Sequence, residues 1–398
     1  MGEIHVHSRS KLIALRLLLP VVEWLIPLFS SSRKIEAGTP LRRILVFRPD
    51  HIGDAIMASA VLAPLRQRFP EAHLALCVGP WAAPLFAGHP LIDELIVAAL
   101  PWWSKIRKSD EAEPRALGWF ALWRRLRRHP FDLLLDLRSD LRHILLYGVL
   151  SRTKHILAYH RTGGVSVLSA SVPYFPDDHE VIRNVRLLEP LGIHVAHPAL
   201  DLPIDSRASA TIEGKLKDAG VAAAHWLITI CPQTRLRVKD WPAASWVKFM
   251  AMLRELFPDA RFLVVGDRHL DFPVPEELRP GTTVWAGELS LPELNSLFAR
   301  SALVAGSDSA PLHLAASRDV PILCLFGPTR PELFRPFTPR LTIVQGTCDC
   351  NRDLHLDCQW APGQNGKCMR DISVANVVAA ATTILRAGSS IEASERRE

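Results

Sequence analysis

The sequence predicts an α/β protein of two Rossmann-like halves facing each other across a central cleft, and three observations carry that expectation. At 398 residues the chain is longer than one hydrophobic core supports. A rhythm of short apolar strand and amphipathic helix runs once from residue 41 and starts again near residue 226, as in a parallel sheet. Between the two series lies a Pro-rich, less regular region around residues 172–207, and no fixed-period repeat is visible. With 48% hydrophobic and 22% charged residues, the composition is that of an ordinary globular protein.

The first forty residues read as an N-terminal amphipathic extension. The run "KLIALRLLLPVVEWLIPLFSSSRK" is apolar, but Arg16, Pro20, Glu23 and Pro27 interrupt it too often for a membrane span. A helix lying in the membrane interface, with Lys11, Arg16, Arg33 and Lys34 near lipid phosphates, is the preferred reading; a helix packed on the body is the other. Residues 41–205 form the first half. There "RILVF" leads into a helical run from Asp54 to about Arg68, followed by the strands "HLALCV" and "DELIVA", a basic helix and "FDLLLDL". Within it, Pro101 to Arg115 has no period and reads as a mobile loop beside the cleft or as solvated surface. Residues 206–387 form the second half: "WLITIC", a helix from Ala243 to Phe257, "RFLVVG", the helical "LPELNSLFARS", "ALVAG", the helical "APLHLAASR" and "VPILCLFG". A last helix, Val374 to Arg386, is placed to cross back onto the first half, and 388–398 reads as a disordered tail.

A net charge of +6 suits nucleic acid, an anionic membrane face or phosphorylated sugars. No strip of basic and aromatic residues for stacking bases stands out, which argues against nucleic acid. Seven cysteines, an odd number, fit a reducing compartment. Cys77, Cys231 and Cys324 sit in strand-like runs and read as core. Cys348, Cys350, Cys358 and Cys368 form a separate group that could hold a structural zinc, remain reduced or form a disulfide; C-x-C with C-x9-C is not the usual zinc-knuckle spacing.

No Walker loop, no G-x-G-x-x-G after a strand and no H-E-x-x-H helix occurs, so nucleotidase, dinucleotide dehydrogenase and zincin chemistry lack support. Three other stretches carry chemistry. In "FRPDHIGDAIMAS" a strand breaks into a polar knot of Arg48, Asp50 and His51 before a Gly-Asp pair opens a helix, so these side chains stand at the sheet's carboxyl edge. In "CPQTRLRVKDWP" a strand ending at Cys231 is followed by Thr234, Arg235 and Lys239, with Lys239 suited to neutralise a pyrophosphate and Thr234 to donate a hydrogen bond. In "VAGSDSAPLHLAASRDVPILCLFGPTRPE" Asp308 follows a strand, and Ser309 is a fitting N-cap for a helix with Pro311 in its first turn, a start suited to an anion.

Together these stretches resemble glycosyltransferase family 9, the ADP-heptose:lipopolysaccharide heptosyltransferase family, from about Arg43 to Arg386. "ILVFRPDHIGDAI" matches the family's opening strand and Gly-Asp turn; "DSAPLHLAA" and "VPILCLFGPT" match its D-[ST]-G-x-x-H-x-x-A-A and V-P-x-x-x-x-F-G-P-T signatures. The resemblance implies a GT-B fold, an acceptor-binding first domain and a donor-binding second, and inverting transfer from a nucleotide-diphosphate sugar with no required cofactor or metal. It implies Asp54 as general base, and Thr234, Lys239, Asp308, Ser309, Ala310 and His313 at the donor, Ala310 replacing the family's usual Gly. Arg48, His51, Arg138 and Arg142 are then the candidate acceptor contacts, with the "RRLRRH" run from Arg124 to His129 as further positive charge. The implied reaction moves a sugar, most simply heptose from ADP-heptose, onto a lipopolysaccharide or related envelope glycan, in the cytoplasm and peripherally on the inner membrane. Another nucleotide sugar, or a non-catalytic nucleotide-sugar or glycan binder of the same fold, are the alternatives.

Overall fold

A computed structural model describes residues 32–102, 116–161, 165–221, 226–347 and 366–395, with side chains described through 388. Most of the N-terminal extension, nearly all of the loop after Pro101, and Cys348, Cys350 and Cys358 therefore lie outside the described residues. The chain divides into two compact units, Met1–Pro203 and Ile204–Glu398. No helix among the described residues is long and apolar enough to cross a membrane.

Unit one holds a six-stranded parallel sheet built from β1 (Arg43–Arg48), β2 (His73–Val78), β3 (Glu94–Ala99), β4 (Leu117–Gly118), β5 (Leu133–Asp136) and β6 (His155–Leu157). Helices that position its site are α1 (Ile52–Ala58), α2 (Leu62–Arg68), α3 (Trp119–Arg128) and α4 (Glu180–Arg186). Both faces of the central strands are covered, so "ILVF" and "LLL" are continuous apolar runs and not alternating ones. The predicted helix from Asp54 to Arg68 is present but tightens into a 3₁₀ turn at Ser59–Val61. Pro64, inside α2, has no N–H and crowds the carbonyl four residues earlier, which accounts for the break. The strand order is β4-β3-β2-β1-β5-β6, so the direction of winding reverses between β1 and β5.

Unit two repeats the plan with β7 (Leu227–Cys231), β8 (Arg261–Gly266), β9 (Thr282–Ala286), β10 (Leu303–Ser307), β11 (Ile322–Phe326) and β12 (Leu341–Gln345), in the order β12-β11-β10-β7-β8-β9. Its helices include α5 (Ser206–Asp218), α6 (Ala243–Leu256), α7 (Leu291–Arg300), α8 (Ala310–Ala315) and α9 (Val374–Glu395). Here the winding reverses between β7 and β10. Gly306 lets these two strands run close: a Cβ there would stand 2.8 Å from the Cys231 carbonyl oxygen and 2.7 Å from Leu312. In open α/β sheets the crevice at such a reversal, outside the strands' carboxyl ends, is where ligands sit.

Two expectations about the chain's end are corrected. The last helix continues past Gly388 to Glu395, because "SSIEASE" contains no Pro or Gly to stop it. Its Val377, Val378, Ala381 and Leu385 are buried with Trp246, Phe249 and Leu253 of α6, so this face packs in the core of unit two. Cys77, Cys231 and Cys324 are buried core residues, as their strand positions require, and burial pushes all three thiols up.

Candidate active site

In unit one, β1 delivers Arg48 to the reversal point, and the guanidinium is fully buried there. The sequence pattern sets Arg48 on an acceptor-facing surface; the structure makes it the hub of three carboxylates. Its Nε donates to Asp50 Oδ1 at 2.8 Å, its Nη1 pairs with Glu180 Oε1 at 2.8 Å, and its Nη2 lies 3.0 Å from Asp54 Oδ1. Nη1 also donates to the Leu137 carbonyl, just beyond β5, at 2.8 Å. Arg183 Nη2 closes the far side by pairing with Glu180 Oε2 at 2.6 Å, and Arg138 Nη1 stands 3.6 Å from Asp50 Oδ2. Three guanidiniums thus alternate with three carboxylates, an arrangement that lets charges remain in a dry interior.

Asp54 is the third residue of α1, in its acidic first turn, where the helix dipole favours a negative charge. With its side chain 16% exposed it is the most accessible of the three carboxylates; Asp50 is fully buried and Glu180 stands at 12%. Burial alone would lower the pKa of Arg48, but Asp50, Glu180 and Asp54 outweigh it and hold the group above its ordinary value. Burial pushes the Asp50 carboxyl up to about 6 against the pull of Arg48. Glu180 is also raised by burial, yet Arg48 and Arg183 together bring it below the usual carboxylate range.

The other candidate acceptor residues separate. His51 occupies the exposed N-cap position of α1. Arg142 is held by Asp140 at 2.8 and 2.5 Å and lies over the Trp102 ring at 5.0 Å. Arg138 is anchored through its backbone N–H, which donates to the buried Asp136 at 3.1 Å. Near it, Arg161 has its pKa drawn down by burial and by the Arg138 charge. Sequence reasoning missed Glu180, Arg183 and Arg161. Glu180 and Arg183 lie on α4, in "HEVIRNVR", inside the region read as irregular; its helix start is signalled by His179, whose ring accepts from the Val181 N–H at 3.1 Å.

In unit two the reversal point gathers most of the predicted donor residues. Lys239 Nζ donates to Asp308 Oδ2 at 2.6 Å and to the Asp308 carbonyl at 3.1 Å. Thr329, from the "FGPT" segment, donates to the same carboxylate oxygen at 2.7 Å, and His313 Nε2 lies 3.9 Å from Asp308 Oδ1. Asp308 therefore fixes Lys239 in place. The Thr234 hydroxyl donates to the Leu236 carbonyl at 2.7 Å, and its N–H donates to Asp240 at 2.7 Å, shaping the loop that carries Lys239. Ser309 stands at the N-cap of α8 but makes no side-chain cap, because its hydroxyl donates to the Ser307 carbonyl at 2.9 Å. Ala310 is the first residue of α8, with Pro311 next.

Among the described residues no group of His, Cys, Asp and Glu is arranged to hold a metal. Of the four late cysteines only Cys368 is described, buried against the core of unit two.

Residues 119–362 match glycosyltransferase family 9 (heptosyltransferase). The chain belongs to that family. It is 25% identical over 296 residues to lipopolysaccharide heptosyltransferase 3 of Escherichia coli, covering 72% of this chain and 84% of that one. In structure it is similar to a family 9 glycosyl transferase from Veillonella parvula, with a TM-score of 0.74 at 20% identity, over 88% of this chain and 99% of that one. The E. coli ADP-heptose lps heptosyltransferase II gives a TM-score of 0.66 at 17% identity, over 87% and 99%. Both structural likenesses establish the GT-B fold of this family 9 glycosyltransferase, and the two parallel sheets described above are its Rossmann-like halves.

Proposed function

We propose that this family 9 enzyme transfers heptose from ADP-heptose to a lipopolysaccharide precursor with inversion at the anomeric carbon. In this reading residues 41–205 bind the acceptor and 206–387 the donor. The observation that carries it is the accessible Asp54 carboxylate at the β1/β5 reversal, oriented by a buried Arg48 at 3.0 Å. The names of the relatives support the substrates: one is a lipopolysaccharide heptosyltransferase and another an ADP-heptose lps heptosyltransferase.

Asp54 takes the proton of the acceptor hydroxyl as that oxygen forms its bond to the anomeric carbon, and the bond from that carbon to the diphosphate oxygen breaks. ADP leaves with the bonding electron pair. Lys239 neutralises the charge that develops on the diphosphate, and Asp308 with Thr329 keeps the ammonium group aimed. Arg138 and Arg161, flanking the Arg48 network, offer positive charge to an acidic or phosphorylated acceptor. Such an acceptor is anchored in lipid, so the protein works peripherally on the cytoplasmic face of the inner membrane.

Calorimetric titration with ADP, UDP and GDP, with and without magnesium, tests the donor half. The expected result is selective, metal-independent binding of ADP that weakens in Lys239→Ala. Preference for UDP or GDP would point to another nucleotide sugar, and no binding of any of the three would favour a non-catalytic glycan binder.

A further inference from the structure

We infer that the outward face of α3, with the turn at Leu150, is the surface by which the protein docks on an anionic lipid bilayer. This rests on the peripheral reading above and names the contact. Helix α3, "WFALWRRLRR", turns Leu122 and Leu126 into the core of unit one, where both are buried. The other side of the helix is unusual for a protein surface. Trp119 is 45% and Phe120 50% exposed, edge to face at 5.7 Å, with Phe120 also packed on Trp123 at 5.4 Å. Leu150, 45% exposed, joins them at the other end of the helix, where its carbonyl accepts from Arg127 Nη1 at 2.9 Å.

Charge decides what fits this face. α3 carries four arginines and no acid. Arg125 is neutralised by Glu94, and Arg127 is tied to the Leu150 carbonyl. Arg124 and Arg128 are exposed and have no acidic partner among the described residues, and neither has Arg152, two residues beyond Leu150. Helical spacing puts Phe120, Arg124 and Arg128 in one row, each four residues from the next. Aromatic and aliphatic groups that enter the headgroup boundary, flanked by arginines that meet lipid phosphates, are the chemistry of an interfacial helix. An acidic protein would meet the arginines but leaves the exposed Trp-Phe pair without a reason.

Sedimentation of the full chain with vesicles tests the assignment. Wild type is expected to bind mixed phosphatidylglycerol–phosphatidylcholine vesicles, to bind pure phosphatidylcholine far more weakly, and to release as salt rises. Arg124→Gln with Arg128→Gln should weaken binding to the anionic vesicles about fivefold for each arginine. Trp119→Ser with Phe120→Ser should cause a loss of binding that added anionic lipid does not restore. Thermal midpoint and ADP affinity should stay at the wild-type level in both variants, which shows that they fold. If wild type binds the anionic vesicles and both variants bind equally well, the surface is wrong while the peripheral reading stands. If wild type binds no vesicle, the peripheral reading falls and this assignment with it. Equal binding of wild type to neutral and anionic vesicles would overturn the role given to the arginines.

Discussion

The two reversal points have the same topology and opposite electrostatic construction. At β1/β5 the buried cation Arg48 is shared among three carboxylates, of which Asp54 is the most exposed. At β7/β10 a single carboxylate, Asp308, holds one ammonium group, with Thr329 as its second donor. The first arrangement displays a proton acceptor and keeps its positive charge inside. The second displays positive charge and keeps its acid inside, since Asp308 is nearly fully buried. In the proposed reaction, one fold used twice supplies the two things an inverting transfer needs, a base for the incoming hydroxyl and neutralisation for the leaving diphosphate.

Breaking the hub should have the largest effect. Arg48→Ala leaves Asp50 buried without its close partner and Glu180 with Arg183 alone, which should cost about 3–5 kcal/mol in chemical unfolding. Lys239→Ala acts on the other pole, where loss of a charge-assisted contact of about 1.5–3 kcal/mol should weaken ADP binding by ~10–100-fold. A pH series sharpens the contrast within the first pole. The folded Asp50 carboxyl holds its proton to about 6, against 3.8 when unperturbed, so its contribution to stability is present below the lower value and lost as pH rises through the higher. Glu180 runs the other way: its folded pKa is depressed, so its contribution is present above 4.5 and lost as pH falls. Asp50→Asn should therefore remove the decline in unfolding free energy between about pH 4 and 6 and leave the acid-side fall intact. The smallest effect is expected for Thr329→Val, about 1 kcal/mol, seen as a few-fold rise in the donor KM.

Much of this was legible in the sequence because strands, turns and helix starts are local. "ILVF" followed by a polar knot and a Gly-Asp pair announces a strand end and a helix start, and Asp54, Lys239 and Asp308 all stand at such ends. What the sequence hid is partnership at long range. Nothing local to Arg48 says that Glu180, far along the chain in a Pro-rich stretch, completes its shell, so Arg48 reads as a surface cation when it is a buried one. Likewise, the hydroxyls of Thr234 and Ser309 suggest ligand contacts, but each is satisfied by a carbonyl two residues away. Short polar side chains near turns bond to their own backbone, and spacing alone does not separate that use from ligand binding.

The central claim, that the first pole supplies the base and the second handles the donor, is tested most directly by Asp54→Asn. Turnover and ADP affinity should be measured on the same preparation. The account predicts that turnover falls by ~10²–10⁴-fold while ADP binding stays at the wild-type level. Turnover within a few-fold of wild type, or loss of ADP binding in step with activity, would contradict it.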